Sequence, residues 1–213
     1  MIHHPLTRSL IFAAFFLVVC QSCVAQPRSG AIQATKPPTS HRQQGRDPDP
    51  RYRPPVNFPE LQAVAGKVAK SSGRVIHWRL AYGANPGPLV KITGGIDDCR
   101  ILVHPIASRR IPPNTWAFIF GHEFAHRVEK LGAHGQTNPA NELKADIAGA
   151  RYAMAAGYRI EAFLGWVLAE PDQFTNSHGS LHKRIHAVAA HFGIPRNVIQ
   201  AEAKRYAKYR ASR

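Results

Sequence analysis

Five consecutive residues, His122-Glu123-Phe124-Ala125-His126, have the types and spacing from which metal chemistry can be built. On a helix, side chains four positions apart share a face, so both imidazoles can point at one ion. Glu123 stands beside His122, where a carboxylate can take a proton from a water activated by that ion. Zinc suits the arrangement, because its Lewis acidity brings the pKa of bound water down to about 7.

The flanking residues predict the helices that must hold these groups. Asn114, after Ile111-Pro112-Pro113, reads as the N-cap of a helix running to about Leu131, and Gly132 stands where a left-handed residue ends one. Trp116, Phe118, Ile119, Phe120, Phe124 and Val128 cover most of its circumference, so the helix is expected to be buried. Buried histidines and a glutamate need partners, and a metal supplies them. Gly121 would let a sheet or another helix approach closely.

Asn138-Pro139 and Gly157 bracket a second helix from Pro139 to Ala156. Glu142 and Asp146 lie four apart on it and share a face. A catalytic zinc usually takes three protein ligands and leaves a fourth position for water, so His122, His126 and Glu142 form a candidate set for one Zn2+ per chain. Asp146 is placed to accept the outer N–H of a ligating histidine. His134, between the two helices, reads as a loop histidine.

These residues resemble the gluzincin metallopeptidases. Ala145-Asp146-Ile147-Ala148-Gly149-Ala150 and Ala156-Gly157-Tyr158 narrow the likeness to the family containing the CAAX prenyl endopeptidase, the heat-shock membrane protease and small periplasmic chaperone-proteases. Asn176-Ser177-His178-Gly179-Ser180 and Arg184-Ile185 resemble that family's Ser-Thr-His-Pro segment and its following Arg-Ile pair, with Gly179 in place of proline. The likeness covers about Trp116 to His191. It implies a zincin-like domain, zinc-dependent peptide hydrolysis with Glu123 as general base, and a hydrogen-bond donor to the reacting carbonyl at His178. The alternative for His178 is a cap on the helix beginning near Ser180, and Arg184 reads as a lock between C-terminal helices. The short gap between His126 and Glu142 leaves little room for the insertions of larger members, so substrate class does not carry over.

The rest of the chain gives setting and fold. Arg8 precedes an apolar run from Leu10 to Val19, the length of a signal-peptide core and too short to span a bilayer. Cys23-Val24-Ala25 offers small residues for cleavage after Ala25, so residues 1–25 read as a signal peptide of a periplasmic or secreted protein. Leu17-Val18-Val19-Cys20 resembles a lipobox, which makes a membrane-anchored lipoprotein the lesser alternative. Residues 26–58, rich in Pro, Arg, Gln and Ser, read as a disordered linker. With Cys20 and Cys23 in or beside the signal, Cys99 reads as a buried apolar residue.

Residues 59–213 read as one α+β domain, a small N-terminal sheet packed on the HExxH helix and followed by a helical half. A helix is expected over Pro59–Ser71, strands over Arg74–Tyr82, Leu89–Thr93 and Cys99–His104, and later helices over Ile160–Ala169, Ser180–Phe192 and Pro195–Arg210. Cys99–His104 is the candidate edge strand along which an extended peptide or protein substrate would pair.

The net charge of +15 is spread over the linker, surface positions and the last helix (Lys204, Arg205, Lys208, Arg210). No aromatic interleaving or nucleic-acid motif accompanies it, so no dedicated nucleic-acid binding is expected. Peripheral contact with anionic membranes or envelope polymers is the more accessible use. Two functions compete: a zinc endopeptidase of the cell envelope, and a non-catalytic zinc-containing envelope protein that binds anionic partners. Glu123 favours the enzyme, because a structural zinc site needs no carboxylate beside its ligand.

Overall fold

The computed structural model describes residues 57–83, 90–132, 138–176 and 178–211. The expected signal peptide, nearly all of the expected linker, and His134 and Ser177 lie outside them.

The first helix, α1 (Phe58–Ser71), starts at Asn57, whose side chain accepts a hydrogen bond from Glu60 N at 2.9 Å. Its apolar stripe of Leu61, Val64 and Val68 is buried, as the 3–4 periodicity requires. Three strands follow: β1 (Trp78–Tyr82), β2 (Val90–Thr93) and β3 (Cys99–Val103). They form one sheet in the order β1-β3-β2, with β1 parallel and β2 antiparallel to β3. The strand expected at an edge, Cys99–His104, is therefore central. Both its hydrogen-bonding edges are occupied, so it cannot receive a substrate strand. Periodicity reports which face of a strand is buried but not which strands flank it, and that is why the expectation failed.

The remaining elements are α2 (Pro105–Ser108), α3 (Pro113–Val128), α4 (Pro139–Ala155), α5 (Ile160–Leu168), a two-residue pair β4 (Phe174–Thr175) and β5 (Gly179–Ser180), α6 (Leu181–His191) and α7 (Arg196–Ala211). The fold is mixed α+β and predominantly helical. Helix α2 and the β4–β5 pair were not expected; each is too short to carry a period. Among the described residues no helix is long and apolar enough to cross a membrane.

Helix α3 runs through the core, with every residue from Thr115 to His126 buried. Burial of Phe118, Phe120 and Phe124 contributes about 1.5–3 kcal/mol each. Phe118 stacks on Phe163 of α5 at a centroid distance of 3.6 Å, and Phe124 meets Trp78 of β1 edge-on at 6.5 Å. Helices α4, α1 and α5 pack closely around α3, and the sheet reaches it through Trp78 of β1 on Phe124.

Strand β1 begins at Trp78 rather than Arg74, and both ends of α3 differ from expectation. Helix α3 begins at Pro113, and Asn114 lies inside its first turn, where its side chain accepts a hydrogen bond from Arg159 N at 2.9 Å. Asn114 thus serves the start of α5, a tertiary contact that local spacing does not encode. The helix stops at Val128, because Lys130 already takes a left-handed φ of 53° two residues before Gly132. Helix α4 matches its signals closely: Asn138 caps it through Asn141 N at 2.9 Å, and Gly157 follows with φ 87°.

Candidate metal centre

The site forms where α3 and α4 cross at two glycines. A Cβ on Gly121 would overlap the Gly149 carbonyl oxygen, and one on Gly149 would overlap the backbone of His122. Of the two neighbours that Gly121 could admit, the close one is a helix. The missing side chains bring the two backbones into direct contact beside the motif. That approach sets the faces of α3 and α4 bearing His122, His126, Glu142 and Asp146 against each other.

His122, Glu123, His126, Glu142 and Asp146 are all buried. His122, His126 and Glu142 offer ligand atoms that lie within 4.8 Å of one another, a group that could hold a metal ion. The two Nε2 atoms are 3.2 Å apart. His122 Nε2 is 3.5 Å from Glu142 Oε2, and His126 Nε2 is 3.5 Å from Glu142 Oε1. Glu142 stands in the first turn of α4, where the helix dipole favours a carboxylate.

Asp146 accepts a hydrogen bond from His122 Nδ1 at 2.8 Å. Its proton on Nδ1 leaves the Nε2 lone pair pointing at the other ligands. Arg184 of α6 donates to Asp146 through Nε at 2.6 Å and Nη2 at 2.9 Å. It also reaches Glu142 Oε2 at 3.4 Å and the His178 carbonyl oxygen at 3.2 Å through Nη1.

The charges of this cluster are unbalanced in the sense a cation would correct. Burial alone would lower the His122 pKa, but the hydrogen bonds and charges of Asp146 and Glu142 outweigh it and push the imidazole up to about 10. Burial likewise opposes ionisation of both carboxylates. Even so, His122 and Arg184 hold Glu142 well below the ordinary carboxylate range, and Arg184 and His122 do the same for Asp146. Two carboxylates thus face one guanidinium, and a proton on His122 makes up the difference. A divalent cation bound at Nε2 would replace that proton, the usual linkage between metal binding and proton release. Glu142 Oε1 is also buried with no hydrogen-bond donor among the described residues, which normally costs about 1–3 kcal/mol. A two-histidine, one-carboxylate set with this deficit fits a divalent metal ion.

His178 sits in the turn between β4 and β5, with Nε2 3.8 Å from Glu142 Oε2. Its backbone N–H donates to Thr175 Oγ1 at 3.1 Å, and its Nδ1 is 3.0 Å from the same hydroxyl. When Thr175 donates its proton to Nδ1, Nε2 carries the ring N–H toward the ligand cluster. The cap of α6 is Ser180, whose Oγ accepts from Lys183 N at 3.1 Å, so His178 does not have that role. Gly179 has φ 70°, a conformation closed to proline, so its departure from the His-Pro pattern is conformational as well as chemical.

Sequence reasoning missed Thr175 and the reach of Arg184 across three partners. Thr175 stands three positions from His178 but in a turn between short strands rather than on a helix, and Arg184 is 38 positions from Asp146, so only the folded chain brings them in. Cys99 is buried, and its thiol is pushed up to about 11 by that burial, with Arg127 opposing the shift and Glu123 adding to it. Compared with protein-family models, curated proteins and solved structures, the chain matched none.

Proposed function

We propose that the chain is a gluzincin-type zinc endopeptidase with a zincin-like domain, exported and acting in the cell envelope on peptide or protein substrates. The observation that carries this reading is the buried convergence of His122, His126 and Glu142 with a glutamate adjacent in sequence to the first of them. A structural site would have no use for that glutamate, and would normally fill all four positions with protein ligands.

Zinc held by His122, His126 and Glu142 would supply the Lewis acidity that makes water nucleophilic near neutral pH. The chain's own residues do the rest. Asp146 fixes the His122 tautomer, keeping Nε2 available as a ligand. Glu123 takes the proton of the attacking water and passes it to the leaving amine. His178, with its ring N–H on Nε2, donates to the carbonyl oxygen as negative charge develops there. The buried surroundings strengthen each of these interactions.

The test is metal quantification on purified protein alongside cleavage of a broad peptide library. One zinc per chain with zinc-dependent hydrolysis is the expected result. Protein that binds no zinc, or binds it and cleaves nothing, contradicts the reading.

A further inference from the structure

Arg184 stands in the first turn of α6, buried at 6% exposure, with its guanidinium shared among three partners. Nε and Nη2 grip the two oxygens of Asp146, while Nη1 lies within reach of Glu142 Oε2 and donates to the His178 carbonyl. All three partners belong to the candidate centre and none to the general core. We propose that Arg184 is the positioning residue of the metal centre: it orients Asp146 on His122 and engages one oxygen of Glu142, leaving the other for the metal.

This inference rests on the metal-centre reading, and the geometry supports it in two ways. Asp146 Oδ1 accepts from both His122 Nδ1 at 2.8 Å and Arg184 Nη2 at 2.9 Å, while Oδ2 accepts from Arg184 Nε at 2.6 Å. A carboxylate held only by His122 could rotate about its terminal bond. The planar two-pronged grip removes that freedom and fixes the plane from which the imidazole takes its orientation. Each oxygen of Glu142 lies 3.5 Å from a histidine Nε2, Oε2 from His122 and Oε1 from His126, but only Oε2 is approached by Nη1, and Oε1 has no hydrogen-bond donor among the described residues. The arrangement therefore offers Oε1 as a single ligand oxygen. The bond to the His178 carbonyl ties the β4–β5 turn to the same guanidinium, so one side chain positions both the ligands and the candidate donor.

A lysine in place of Arg184 keeps the charge but cannot make the fork, which separates positioning from simple charge pairing. Zinc affinity is measured by competition with a chromogenic chelator, and Co2+ is substituted to read the ligand field from its visible absorption. R184K is expected to bind zinc roughly 10–100-fold more weakly, with an altered Co2+ spectrum, as changes behind a ligand typically do. Because R184K could unfold, the charge-free pair D146N/R184M serves as a second variant. Its zinc affinity should match that of D146N alone, since Arg184 acts largely through Asp146.

An arginine that merely locks α6 to α4 would lower the Tm and leave zinc affinity and the Co2+ spectrum of folded protein unchanged. That outcome for R184K, or wild-type zinc affinity in D146N/R184M, overturns the role of Arg184 while leaving the metal centre standing. Wild-type protein that binds no divalent metal overturns both.

Discussion

Gly121 and Gly149 touch backbone to backbone where α3 crosses α4, with no room for a methyl group on either. His122 follows Gly121 directly, and Asp146 lies three residues before Gly149, so the contact sets the distance between the histidine and its carboxylate partner. G149A should therefore push the helices apart, costing about 1–3 kcal/mol from overpacking and reducing zinc affinity as well. Thermal unfolding and metal content measured together check this. A G149A protein with wild-type Tm and full zinc content would show that the crossing does not govern the site.

His178 is tested kinetically. H178A should lower kcat by roughly 10²–10³-fold, the usual loss for one donor to a developing oxyanion, with little change in zinc content. If H178A instead loses stability while the folded fraction turns over normally, the donor lies elsewhere.

Cys99 should be inert in the native protein. It is fully buried at the start of β3, and its raised pKa keeps it as the thiol rather than the reactive thiolate. Iodoacetamide at pH 8 should leave Cys99 unmodified in the native protein and label it after unfolding in urea, as read by peptide mass. Rapid labelling of Cys99 in the native protein would contradict its burial.

How far the sequence made these features legible depended on whether they were local. The limits of α4 follow from Asn138, Pro139 and Gly157, whose caps and backbone conformations need no distant partner. The grouping of His122 with His126, and of Glu142 with Asp146, follows from helical spacing alone. Asn114 misled because its side chain bonds to Arg159, 45 positions away, rather than to its own helix. The central place of β3 depends on a parallel pairing with β1 that skips β2, which alternation along one strand cannot reveal. Arg184 gathers groups from α4 and the β4–β5 turn, so its reach appears only once the chain is folded.

In the proposed mechanism Glu123, and not the metal alone, performs proton transfer in peptide hydrolysis. E123Q tests it most directly, because the amide keeps the size of the side chain and leaves His122, His126 and Glu142 untouched. Zinc content and peptide hydrolysis are measured on the same preparation. E123Q is expected to keep near-normal zinc while losing hydrolysis. An E123Q protein that hydrolyses peptides at the wild-type rate would contradict the mechanism.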